Sequence, residues 1–236
     1  MTSLNMRKGL KSVENRMKEG MGSLERHGAD YKPFMKSREF SSYGFCENII
    51  NPYTKRSMHL FSHGEAWATW EFIWDDNVKD IREQVLLDKA LVDSTTDLLG
   101  YPRYTGDPLT ADLCVTYIDG TMRVFQVKES RAEIVASISD QRRIITEAAY
   151  WKTKGISFNL LYREDMDPYV AENISEIMEF YDDTCILDDF QLLKHLMAQK
   201  IIAVDIYHGR IDFGRLIPQY REELDRYEYL KTRFNY

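Results

Sequence analysis

The stretch ADLCVTYIDGTMRVFQVKES, residues 111–130, constrains the fold of this chain more than any other. Apolar, largely β-branched or aromatic residues run along both sides of Asp119-Gly120, a hairpin turn signal. Two strands this apolar need further elements to cover them. Their far ends are different: Asp112 opens the first strand, and Gln126 and Lys128 close the second. Residues two apart in a strand share a face, so Gln126 and Lys128 point the same way as Met122 and Val124. The turn decides whether Asp112 joins them. A two-residue loop sets Asp112 across from Val127, on the wrong face. A three-residue loop with a bulge at Gly120 sets it opposite Lys128, on the right one. A site uniting the three residues requires the longer loop.

Periodicity places further elements around the hairpin. Residues 62–76 predict a helix, with Ala66, Trp67, Trp70, Ile73 and Trp74 at helical spacing and the tryptophans read as core. A strand near 79–87 and a helix over 88–98 precede the hairpin. One long helix over 131–153, through Ile134, Ile138, Ile145, Ala148 and Trp151 and stopped by Gly155, follows it. ISFNLLY (156–162) reads as a buried strand. Upstream, residues 4–24 suggest an amphipathic basic helix weakened by Gly9, Gly20 and Gly22, and 30–60 an irregular lead-in poor in strands. After REDMDP (163–168) the pattern changes to helices near 170–181 and 188–199, a short wing-like strand at 201–207 and a charged helical tail near 214–232. The expected organisation is an arm (1–29), an α/β domain (30–165) and a small helical domain (166–236).

The chain has 236 residues, 44% hydrophobic and 29% charged, which suits a buried core rather than disorder. A net charge of −7 argues against a broad phosphate-binding surface, but the charge is uneven. Residues 1–60 carry 11 Lys and Arg against 6 Asp and Glu, and the remainder 20 against 32. A basic arm on an acidic body suits a protein delivered to DNA by partners, and equally a solvated surface with an uneven tail. Cys46, Cys114 and Cys185 are too few and too scattered for a disulfide framework or a zinc site, as expected in a reducing cytoplasm. No segment has the apolar length of a membrane span or the apolar core of a signal peptide, so no membrane is expected.

Asp112, Gln126 and Lys128 admit two readings. An aspartate and a glutamine carbonyl are hard oxygen ligands for a divalent cation, and a nearby lysine can hold a water or stabilise charge on a phosphate. An acid and a lysine at the ends of neighbouring strands also make exposed ion pairs of little consequence. Glu65 is similarly double. In SHGE (62–65), Ser62 caps a helix and Glu65 reaches back to its amide as a capping box. An acid in that first turn could also aim at a metal beside Asp112. The five histidines show no paired metal spacing, and no nucleophile elbow or phosphate-cradling glycine loop occurs.

Several segments together resemble the TnsA family, the transposon-end endonucleases of heteromeric cut-and-paste transposases. They are FSSYGFCENIINPYTKRSMHLFSHGEAWATWEFIWDDNVKDIREQ (40–84), LTADLCV (109–115), QVK (126–128) and EAAYWKTKGI (147–156), in the family's order. Ser62, Glu65, Val78 and Asp80 to Gln84 match its helix-start and strand pattern. The His-Pro usual after Leu-Gly is replaced, since Tyr101-Pro102 follow Leu99-Gly100. The resemblance implies a restriction-endonuclease-like core, a mixed sheet flanked by helices, with a small, mainly helical, winged-helix-like C-terminal domain. It implies phosphodiester hydrolysis with Mg²⁺, for which Mn²⁺ can substitute. Glu65, Asp112 and Gln126 would be metal ligands, Glu147 a further acidic one, and Lys128 would position the attacking water. It also implies DNA at transposon ends, a TnsB-type transposase and a TnsC-type AAA+ ATPase as partners, with the C-terminal tail docking on the ATPase. A non-catalytic adaptor of the same fold, or a phage or repair nuclease, are the alternatives.

Overall fold

The computed structural model describes residues 12–39, 45–182 and 188–234, and for Arg38 and residues 229–234 the backbone alone. The chain divides into two compact units, Met1–Met166 and Asp167–Tyr236.

The first unit begins with α1 (Val13–Lys18) and two short 3₁₀ turns, then a hairpin of β1 (Glu47–Ile50) and β2 (Ser57–Leu60). The residues read as an irregular lead-in thus contain an antiparallel strand pair. The helix α2 (His63–Trp74) leads into β3 (Val78–Leu86) and α3 (Lys89–Leu98). The hairpin β4 (Thr110–Tyr117) and β5 (Met122–Lys128) follows, then α4 (Arg131–Ala136), α5 (Ile138–Thr153) and β6 (Ser157–Tyr162). The main sheet runs β3-β4-β5-β6; the first two pairings are antiparallel and the last is parallel.

Helices cover both faces of this sheet. Leu113 pairs with Phe125, and the Phe125 ring lies 4.8 Å from Phe72 of α2. One residue along each strand, Cys114 and Val124 face the other way and join a core with Tyr150 and Trp151 of α5. Four of the six buried residues of α2 are small (Gly64, Ala66, Ala68 and Thr69), and Glu65 and Ile73 are the other two. Its tryptophans are only half-buried, contrary to their reading as core. A Cβ on Gly64 would stand 2.7 Å from Val127 Cγ1, so glycine there lets the helix start press against β5.

The single helix expected over 131–153 is two. Ser137 has an extended backbone (φ −121°, ψ 102°), and its hydroxyl accepts from the Asp140 amide to start α5 afresh. The Gln141 side chain donates to the Ile134 and Val135 carbonyls, closing α4. The inward stripe of α5 is Thr146, Glu147, Tyr150 and Trp151, whereas Ile138 and Ile145 are exposed.

The described part of the basic N-terminal segment is not a free arm. Leu86 N–H donates to Gly22 O, Arg82 Nη1 to Leu24 O (2.6 Å), and the buried Tyr31 hydroxyl to Glu83 O (2.7 Å). Arg16 is buried, donating to Phe34 O and Glu39. Part of the positive charge counted in the sequence is therefore spent internally. Residues 1–11 lie outside the described residues.

The second unit contains α6 (Pro168–Met178), α7 (Asp189–Ala198), α8 (Phe213–Leu216) and α9 (Arg221–Phe234), packed over Ile174, Ile177, Leu193 and Leu196. The wing-like strand expected at 201–207 is absent, and no strand occurs among the described residues of this unit. The segment is held instead by one side chain. Asn173 Nδ2 donates to Ile206 O and Gly209 O, and its Oδ1 accepts from Ile211 N–H. The tail breaks at a 3₁₀ turn containing Pro218, and Leu224, in the helix after it, is wholly buried. Among the described residues, no helix is long and apolar enough to cross a membrane.

Candidate active site

The hairpin loop is three residues long. Tyr117 N–H closes on Thr121 O, and Gly120 adopts φ +83°. Asp112, Gln126 and Lys128 consequently line one cavity of about 250 Å³, together with Glu65, Arg143 and Arg163. The register differs from expectation by one same-face step. Leu113 pairs with Phe125, so the ladder points Asp112 toward Gln126 rather than Lys128.

The cavity exists because β4 and β5 part company there. Their pairing ends at Leu113–Phe125, while β5 stays paired with β6 through Gln126–Leu160 to Lys128–Tyr162. Asp112 bridges the fork, its Oδ2 accepting from Val127 N–H at 2.8 Å.

Glu65 enters from the first turn of α2. Ser62 Oγ accepts from Glu65 N–H, as the capping box requires. The carboxylate reaches one residue further back than expected, to Phe61 N–H (3.0 Å), and also accepts from Ser62 Oγ. Capping and lining the cavity are thus compatible. Burial, and then the negative charge of Asp112, push the Glu65 carboxyl up to about 8. Burial raises Asp112 too, against the opposing pull of Arg143, the Val127 amide and Lys128.

Gln126 is fully buried, and its Oε1 has no hydrogen-bond partner among the described residues. A buried amide oxygen left without a donor is costly unless something else satisfies it. Together with the two mutually repelling carboxylates, it forms a hard-oxygen set that a divalent cation would satisfy. No group of three His, Cys, Asp or Glu suited to a metal occurs among the described residues. The set is two acids and an amide.

Lys128 borders the same cavity, with Nζ 3.7 Å from Asp140 Oδ1. Glu147 stands apart from the cavity lining. Its Oε1 accepts from Arg143 Nε at 2.7 Å, and burial pushes its carboxyl up to about 7 against the pull of Arg143.

Sequence reasoning missed two residues. Gln84 is buried in mid-strand with φ +52°, a left-handed backbone rare outside glycine. The ladder skips the Gln84–Asp112 step, passing from Glu83–Leu113 to Val85–Ala111. The Gln84 side chain donates to Glu65 Oε2 (3.4 Å) and accepts from Thr110 Oγ1 (3.0 Å), tying the helix start to the sheet. Its identity sat in the matched Arg-Glu-Gln pattern, but that pattern carries no signal for a left-handed residue. The second is Arg143, on a helical face that the isoleucine spacing pointed elsewhere.

No protein-family model matches the chain. Among curated proteins, it is similar to the transposon Tn7 transposition protein TnsA of Escherichia coli, 27% identical over 201 residues, spanning 80% of this chain and 71% of that protein.

Proposed function

We propose that this chain, which belongs to the TnsA family, is the endonuclease subunit of a Tn7-type transposition system and hydrolyses the 5′ (non-transferred) strand at transposon ends. One observation carries the reading: Glu65, Asp112, Gln126 and Lys128, drawn from three separate elements, line a single cavity at the fork between β4 and β5.

Glu65, Asp112 and Gln126 would hold Mg²⁺ or Mn²⁺, which supplies Lewis-acid stabilisation of a phosphoryl oxygen. The chain's own groups do the rest. Val127 N–H and Gln84 fix the orientation of the two carboxylates. Lys128, tethered by Asp140, positions the attacking water and offsets negative charge growing on the phosphate. With only two anionic ligands, cation affinity is low until DNA phosphate adds oxygens, which suits a nuclease licensed by assembly. A restriction-endonuclease-like core fits the mixed sheet with helices on both faces. The partners in this reading are transposon-end DNA, a TnsB-type transposase that makes the other cut, and a TnsC-type AAA+ ATPase, acting in the cytoplasm.

The test is a reconstituted transposition complex with Mg²⁺. Asp112→Ala should abolish 5′-strand cleavage and leave the transposase's own cuts intact. Unchanged 5′ cleavage would assign the chain a non-catalytic adaptor role.

A further inference from the structure

Arg143 enters the cavity from α5, on the side of the fork where Asp112 lies. Its guanidinium is held at two points: Nε donates to the buried Glu147 Oε1 (2.7 Å), and Nη2 to Thr110 O (3.3 Å). Thr110 stands two residues before Asp112 and bonds Gln84, so the arginine is braced against the same framework that orients the two carboxylates. The remaining nitrogen, Nη1, has no hydrogen-bond partner among the described residues, and the side chain is 24% exposed. An arginine so anchored has lost most of its rotamer freedom in advance and presents a fixed donor at a cavity wall.

The other cavity cations are disposed differently. Arg163 is paired with Glu129, which also lines the cavity, and its guanidinium lies 5.5 Å from the Trp67 ring. Lys128 keeps a longer contact with Asp140. Lys128 and Arg143 stand on the cavity wall and both pull on the Asp112 carboxyl.

We propose that Arg143 contacts a non-bridging oxygen of the DNA phosphodiester bound at this site, and that Glu147 is its positioning residue rather than a metal ligand. The inference rests on the nuclease reading of the cavity. Arginine suits the task because its planar fork can give one edge to a protein carboxylate and another nitrogen to a phosphate. A lysine ammonium has donors enough for both but no fixed fork to hold them in set directions.

Cation loading and phosphodiester binding separate the roles. Full-length protein is loaded with Mn²⁺, which is followed by electron paramagnetic resonance, and dimethyl phosphate serves as a soluble phosphodiester probe. Its phosphorus NMR relaxation, enhanced by bound Mn²⁺, reports occupancy. Arg143→Gln should load Mn²⁺ like the unsubstituted chain but bind the probe roughly tenfold more weakly, as loss of a charge-assisted bond requires. Arg143→Lys should fall between them. Glu147→Gln should reproduce the weaker probe binding with Mn²⁺ loading intact. Probe binding unchanged in Arg143→Gln overturns the proposal. Loss of Mn²⁺ in Glu147→Gln makes Glu147 a ligand and also overturns it. Failure of the unsubstituted chain to take up Mn²⁺ defeats the nuclease reading itself, and the role of Arg143 with it.

Discussion

Two clusters of buried charge adjoin β3. In one, each charge meets its opposite: Glu83 Oε1 accepts from Arg56 Nη1 (2.7 Å) and His59 N–H, and Arg82 Nε lies 3.3 Å from Asp80. Arg82 also donates to Leu24 O and Thr116 Oγ1. In the other, Glu65 faces Asp112, like against like, and Gln126 Oε1 has no hydrogen-bond partner among the described residues. The first cluster ties the N-terminal segment and β2 to the sheet. The second holds its groups in mutual conflict that an added cation would relieve. Equal burial serves opposite ends: opposite charges paired together secure the fold, and like charges held together keep a place for a cation.

Four tests bear on that contrast, beginning with the largest effect. Asp112→Ala should lower 5′-strand cleavage by more than about a hundredfold, yet leave the metal-free chain as stable as before or more so, since it removes a charge that opposes Glu65. A large fall in melting temperature would place Asp112 in the structural cluster. Conversely, Glu83→Ala strands Arg56 and should cost roughly 3–5 kcal/mol in urea unfolding. A loss near zero would erase the distinction between the clusters.

Gln84 lies between the two and should show both behaviours. Gln84→Ala and Gln84→Gly should each reduce cleavage by roughly tenfold to a hundredfold, because Glu65 loses a group that orients it. Gln84→Gly should nonetheless be the more stable of the two by about 1 kcal/mol, since glycine accepts the positive φ that alanine resists. Equal unfolding midpoints would mean that the backbone there relaxes.

The smallest effect is a pH slope. Glu65, raised to about 8, and Glu147, raised to about 7, keep protons in the folded chain that the unfolded chain releases from about pH 4.5 upward. Below that range both states are protonated and the groups contribute no slope. As pH rises toward 8 the folded state binds more protons than the unfolded one, so metal-free stability falls, and above 8 the slope from these groups ends. Thermal melts in a chelator should show the decline, Glu65→Gln should flatten it, and added Mg²⁺ should restore most stability at the alkaline end. A flat profile in the unsubstituted chain would mean that Glu65 is not buried against Asp112.

The parts of the site legible in sequence were those governed by short periods. Strand parity and the Asp119-Gly120 turn were enough to place Asp112, Gln126 and Lys128 on one face once the loop length was known. The cap at Ser62 located Glu65. Less legible was whatever depended on distant partners. Ile138 and Ile145 suggested an inward helical face, but the structure leaves both in solvent, because the Ser137–Asp140 cap restarts the helix and its inward stripe begins at Thr146. Glycines at 20 and 22 argued against a helix but gave no hint that the segment packs beside β3. In the C-terminal unit, Ile202 and Ile206 are buried as a strand's residues would be, but the backbone there is held by Asn173 from another helix.

The parallel pairing of β5 with β6 fixes when the site can come into being. Past Phe125, the end of β5 that carries Gln126 and Lys128 has no ladder on its β4 side and is held by Leu160, Leu161 and Tyr162. Parallel neighbours cannot be joined by a tight turn, so the chain must first traverse α4 and α5 before β6 can dock. Such non-local closure is slow compared with hairpin formation. A nascent chain that has emerged only as far as Lys128 already carries Glu65, Asp112, Gln126 and Lys128 but lacks the strand that holds the last two in place. The complete four-residue cavity therefore arrives late in folding, after the last strand of the sheet has docked.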